Sequence, residues 1–148
     1  MRILALDVGT KTIGVAVSDE LGIAAHGVST IKRTDLKRDL EALHKIVDKY
    51  KPSEILVGVP YNYDGTVSKR GEEILRFAEK IKATFSLPLE FWDESFTTSD
   101  AEAVLLQADL SRKKRRKVID KLAAVFILQD YLRSRESVEP RTDPNEQE

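Results

Sequence analysis

Four acidic positions carry the most obvious chemistry in this chain: Asp7, the adjacent pair Asp93 and Glu94, and Asp120. Asp7 closes an apolar stretch that starts at Ile3 and is followed by Gly9, Lys11 and Gly14. A carboxylate ending an apolar strand lies at a sheet edge beside a turn, where solvent and ligand can reach it. Gly9 and Gly14 bracket the turn and permit backbone conformations closed to other residues, and Lys11 puts a cation within reach. Alone, Asp7 could equally cap its own turn. Asp120 sits in VIDKLAAVFIL, where a helical period groups it with Ala123, Ala124 and Ile127. Alone, it reads as an ion-pair partner of Lys117 or Lys121, or as a charge favoured early in a helix. Gathered together, carboxylates from separate elements repel one another unless a cation lies between them. Hard oxygen donors without a His or Cys cluster select Mg²⁺ or Mn²⁺ over zinc. His26 and His44 lack the spacing of a shared metal site and read as structural or exposed. Two such ions could activate a water and stabilise the leaving oxygen of a phosphodiester.

Two further groups suit a polyanionic substrate. The loop VPYNYDGT at 59–66 offers Tyr61, Asn62 and Tyr63, stacking faces and hydrogen bonds for a nucleotide, although Asp64-Gly65 also marks an ordinary surface turn. Arg112, Lys113, Lys114, Arg115, Arg116 and Lys117 are six consecutive cations. Such a run can be a solvated helix start, and it is also what a phosphate backbone needs.

The elements that must position these groups follow from periodicity. Ile3–Asp7, the alternating stretch Ile13–Ser18, and Ala24–Ile31 read as three strands in a meander. Leu36, Leu40, Leu43, Val47 and Tyr50 recur at helical spacing behind Thr34 or Asp35 as N-cap. Glu54–Val59 is a nearly continuous apolar run, the pattern of a buried parallel strand. A helix to about Phe85 carries Ile74, Ala78, Ile81 and Phe85 on one face. A short fifth strand spans Pro88–Trp92. Ser99 with Glu102 is a capping-box signature for a helix to about Gln107, and a last helix starts in the basic run with Val118, Leu122, Val125 and Leu132 as its apolar positions. The order β-β-β-α-β-α-β-α-α predicts an α/β fold: a mixed five-stranded sheet, antiparallel meander plus two parallel strands, with helices on both faces. In such sheets, sites form beyond the carboxyl ends of the parallel strands, beside Asp7.

Composition narrows the class. With 148 residues the chain reads as one domain large enough to bury its own core. It has no cysteine, which excludes disulfides, thiolate zinc and iron–sulfur clusters and fits a cytoplasmic location. No signal peptide and no apolar run long enough for a membrane span is visible. The net charge of −1 hides an asymmetry. Residues 136–148 carry a net −4, leaving +3 on residues 1–135. With Pro140 and Pro144 and no periodicity, 136–148 reads as a disordered acidic tail behind a domain at 1–135.

Four segments in order resemble the YqgF (RuvX) family: DVGTKTIGVAVSD at 7–19, VGVPYNYDGT at 57–66, DESFTTSDAE at 93–102 and KVIDKLAAVFILQDYL at 117–132. The match covers roughly residues 1–133. The resemblance implies a ribonuclease H-like fold and a metal-dependent nuclease. Family members are described as Holliday-junction resolvase-like and as nucleases processing the 5′ end of pre-16S ribosomal RNA. Carried over by position, the family's acidic site falls on Asp7, Glu94 and Asp120, and Lys11, Asn62 and Thr97 line it. The family usually has Arg where this chain has Ser95.

The expectation is therefore an endonuclease using Mg²⁺ or Mn²⁺, with two ions, on structured nucleic acid. Precursor ribosomal RNA is the expected substrate, and a four-way DNA junction is the alternative. A non-catalytic nucleic-acid-binding protein would keep the basic run but need no acid cluster. An actin-like or sugar-kinase-like ATPase shares the Asp-x-Gly opening but needs two such domains. Nothing advertises a homo-oligomer, since there is no heptad seam and no long exposed apolar strand.

Overall fold

The computed structural model describes residues 1–62, 64–93 and 112–138, with the backbone alone at 112–120 and 136–138. Five strands, β1 (Ile3–Val8), β2 (Thr12–Ser18), β3 (Ala25–Lys32), β4 (Glu54–Val59) and β5 (Leu89–Asp93), form one sheet in the order β3-β2-β1-β4-β5. The first three pair antiparallel, and β4 runs parallel to both β1 and β5. The predicted mixed sheet is thus present. Its third and fifth strands begin and end one residue later than the sequence pattern suggests.

Helices α1 (Leu36–Tyr50) and α2 (Lys69–Phe85) cover one face, and α3 (Arg112–Val138) covers the other. Asp35 caps α1 by accepting from the Arg38 amide at 2.9 Å, and Ser68 caps α2 by accepting from Gly71 at 3.1 Å. The helix expected over 99–107 lies outside the described residues, as does the tail from 139. Helix α3 itself runs to Val138. Among the described residues, no helix is long and apolar enough to cross a membrane.

The two layers are built from different side chains. Under α1 and α2, Leu4, Leu6, Val8, Ile13, Val15, Ile55 and Val57 meet Leu43, Ile74, Phe77 and Ile81. Under α3, the sheet presents Ile3, Ala5, Ala16 and Leu56 to Ala124, Ile127, Leu128 and Leu132. Three of those eight are alanines, and all three are fully buried. Small residues on both sides let a helix backbone come close to a sheet, and close packing makes that layer sensitive to added volume. The buried stripe of α3 is therefore Ala123, Ala124, Ile127, Leu128 and Leu132, while Leu122 and Val125 are only partly buried.

Candidate active site

Strand alternation puts Asp7 on the α3 face, in line with Ile3 and Ala5. It is half-buried, near the carboxyl end of the central strand. Its partner across β2 is Gly14, which in turn pairs with Thr30 of β3. On the other side Leu6 pairs with Val57, so the next position of β4 is Gly58, which pairs with Trp92 of β5. Asp7 is thus flanked along the sheet by two glycines, and no neighbouring side chain rises from the adjacent strands beside its Cβ.

The expectation that Gly9 and Gly14 supply unusual turn backbone needs correction. Gly14 lies inside β2, and the glycines with positive φ are Gly22 and Gly65. Gly9 is required by space instead. Its amide donates to the Thr12 carbonyl at 2.8 Å, and a Cβ at Gly9 would lie 2.9 Å from that oxygen.

Helix α3 approaches this face obliquely. Leu132 shares a hollow with Ile3 at the far end of the sheet, while Lys121 packs over Gly27 of β3, where a Cβ would lie 2.8 Å from its side chain. Position 120 lies on the helix backbone about one turn before Ala123 and Ala124, which are buried. Arg112–Lys117 lie on the same helix, about 5–12 Å further along its axis at 1.5 Å per residue. The side chains of Asp120 and of Arg112–Lys117 lie outside the described residues.

Strand β5 is fastened to the same helix. Trp92 donates from Nε1 to Asp130 Oδ2 at 2.7 Å, and its ring meets Tyr131 edge-on at 5.3 Å. Tyr131 in turn donates to Glu54 at 3.3 Å, and Arg135 donates to the same carboxylate at 2.9 Å. Burial first, and the Glu54 charge second, push the Tyr131 phenol pKa up. Alternation places Glu90 and Trp92 on the α3 face and Asp93, with Leu89 and Phe91, on the opposite one. Asp93 therefore does not share a face with Asp7. Glu94 and Thr97 lie outside the described residues.

Lys11, Tyr61 and Asn62 follow the carboxyl ends of β1 and β4, at the same end of the sheet as Asp7. Lys11 is exposed at the β1–β2 turn. Tyr61 is half-buried and packs in part against the α1/α2 core, which leaves less of its ring for a base. Asn62 is exposed, but its amide donates to Thr66 Oγ1 at 3.0 Å within its own loop. Asp64 accepts from both the hydroxyl and the amide of Thr66, and the hydroxyl bond first, then the amide bond, holds its carboxyl below the usual range. Tyr63 lies outside the described residues. His26 and His44 are exposed, and His44 pairs with Asp48 at 3.2 Å. Among the described residues no three Asp, Glu, His or Cys side chains form a metal-binding group. Asp7 is the described member of the expected trio.

Sequence reasoning missed two residues at this turn. Arg33 donates from Nη1 to the Gly9 carbonyl at 2.7 Å, and Arg70 donates from Nη2 to the Val8 carbonyl at 2.6 Å. A signal existed for Arg70. It follows Lys69 in the first turn of α2, where the helix dipole disfavours cations.

Comparison with known proteins places these features in a lineage. The family model RuvX, described as Holliday junction resolvase, matches residues 1–134. A Thermoanaerobacter pseudethanolicus protein named "Putative pre-16S rRNA nuclease" is 51% identical over 138 residues, covering 93% of this chain and 99% of its own. Among solved structures, T. thermophilus RuvC in complex with Holliday junction substrate aligns with a TM-score of 0.57 at 16% identity, covering 93% of this chain and 97% of that one. The Fowlpox virus resolvase in complex with Holliday junction DNA aligns at 0.58 and 14% identity, covering 90% and 98%. At such identities these two structures speak for the fold alone.

Proposed function

The chain belongs to the RuvX family, and from that premise we propose that it is a metal-dependent endonuclease of structured nucleic acid, acting in the cytoplasm on precursor 16S ribosomal RNA. The observation that carries the reading is Asp7 itself: a half-buried carboxylate near the end of the central strand, between two glycine positions and on the face covered by α3. The proposed substrate rests on the relative's printed name and its 51% identity over nearly the whole of both chains.

Asp7, Glu94 and Asp120 would hold Mg²⁺ or Mn²⁺, a donor set of carboxylate oxygens suited to hard cations. When bound, such ions supply an activated water and neutralise charge on the phosphate. The protein's own part is to hold the acids and the substrate. Lys11, exposed at the turn after Asp7, and Arg112–Lys117, on the helix that bears position 120, supply cations for the phosphate backbone.

The test uses pure protein, labelled precursor RNA and a synthetic four-way junction, with Mg²⁺, Mn²⁺ or chelator. The expected result is metal-dependent cleavage of single-stranded RNA flanking the mature 5′ end, abolished in Asp7→Asn with nucleic-acid binding kept. Symmetric paired nicks in the junction with the RNA left intact would replace the substrate by branched DNA. Cleavage by Asp7→Asn at the parent rate would overturn the site.

A further inference from the structure

We propose that Arg33 and Arg70 are positioning residues for Asp7: they clamp the two carbonyls that follow it and so fix its carboxylate for metal binding. This rests on the nuclease reading above. The parallel ladder between β1 and β4 ends at Leu6 and Val57. Beyond that rung β1 is paired on its β2 side only, through Asp7–Gly14 and Val8–Ile13. Arg70 supplies a donor on the side that β4 has left, to the Val8 carbonyl at 2.6 Å. Arg33 holds the next carbonyl, Gly9, at 2.7 Å, and its own amide donates to Lys11 at 2.8 Å. Both guanidinium contacts have the short length of charge-assisted hydrogen bonds.

Each arginine is itself held. Arg33 Nε lies 3.4 Å from Asp39 Oδ2, its guanidinium stacks over Phe77 at 4.8 Å, and Asp39 also accepts from the Thr34 amide at 3.0 Å. Asp39 is only 3% exposed, an unusual place for a carboxylate on α1. Arg70 Nη1 donates to Glu73 at 3.1 Å. A hollow of about 310 Å³ opens beside them, lined by Thr10, Arg33, Asp35, Asp39, Arg70 and Glu73 among others. With three acids among those lining residues against two arginines, it is not an anion site. The guanidiniums are turned to the backbone. Arg70 also stands in the first turn of α2, against the helix dipole. A local rule broken beside a candidate catalytic acid is where a functional requirement is expected to show.

The experiment measures Mn²⁺ binding to RNA-free protein by calorimetry for the parent, Arg33→Gln, Arg70→Gln, Arg70→Lys and Asp7→Asn. Each Gln variant should lose about tenfold or more in Mn²⁺ affinity, the scale of outer-shell changes at metal sites. Affinity for precursor RNA in chelator should stay within about twofold, since neither arginine is asked to touch phosphate. Arg70→Lys keeps a donor that reaches Val8 and should recover to within about threefold of the parent. A lower melting temperature with unchanged Mn²⁺ affinity in both Gln variants would reduce the clamp to a structural one and overturn the proposal. Arg33 is the more buried of the two, 24% against 30% exposed, so if Arg33→Gln does not fold, Arg70→Gln and Arg70→Lys decide. Parent-like Mn²⁺ binding by Asp7→Asn would remove the metal site itself and both readings with it. Loss in Asp7→Asn alone would remove only the clamp.

Discussion

Ala124→Leu should damage catalysis far more than it damages the fold. Ala124 is fully buried in a layer where it meets Ala5 and Ala16, both also fully buried. A leucine there has no space to enter without moving α3 off the sheet or forcing strained rotamers, a cost of about 1–3 kcal/mol. Against a total stability of about 5–15 kcal/mol for a domain, the variant stays folded at room temperature. Its melting temperature should fall by about 4–10 °C. The same displacement moves position 120, one helical turn away, relative to Asp7 on the sheet. Shifts near 1 Å in a reacting constellation cost about 100-fold in rate, so kcat on precursor RNA should drop by about that factor. Ile55→Val is the control: it thins the opposite layer, costs about 0.5–1.5 kcal/mol, and leaves α3 where it is. Urea unfolding gives the stabilities, and single-turnover cleavage gives the rates. A folded Ala124→Leu protein with the predicted stability loss and a kcat within about threefold of the parent would refute the view that this layer sets the site.

Two other outcomes follow from the charges and ionisations described. Tyr131 has its pKa raised, chiefly by burial and then by Glu54, so the folded state holds the phenol proton more tightly than the unfolded chain. The resulting stability is complete below the ordinary value of 10.0 and is lost as pH rises through the raised one; urea midpoints from pH 8 to 11 should fall more steeply for the parent than for Tyr131→Phe, and parallel curves would refute the linkage. Replacing Arg112, Lys114 and Arg116 by Gln should flatten the slope of log K against log salt for RNA binding by about 2–3, and an unchanged slope would make the run a solvated helix start.

The strands, their order in the chain and the face of Asp7 were all legible, because alternation at Ile13–Ser18 has a period no helix can share and the short apolar run at Ile3–Leu6 suits a strand buried on both faces. A nearly continuous apolar run at Glu54–Val59 likewise marked a strand whose residues after Glu54 are all buried. The family resemblance added the position-by-position link between Asp7, Glu94 and Asp120, which no local pattern connects. The tight turn was misread for a specific reason. Glycine in sequence signals either unusual φ or missing volume, and only the carbonyl of Thr12 beside Gly9 tells which.

The two larger misses share a cause. A search for large apolar residues on the last helix selects Val118, Leu122, Val125 and Leu132; Leu132 is buried, but Leu122 and Val125 are only partly so, and the stripe that meets the sheet also holds Ala123 and Ala124. Where two elements must come close, the buried residues are small, and hydrophobic size points away from the contact. Arg33 and Arg70 were hidden in the same way. Their partners are backbone carbonyls of Gly9 and Val8, some 24 and 62 residues away in sequence, and a carbonyl carries no residue identity to search for. Both misses fall around Asp7, one above its face of the sheet and one beside the turn that follows it. A position that demands close approach and fixed backbone is framed by groups with weak sequence signatures, so Asp7 and its face were readable and the groups around it were not.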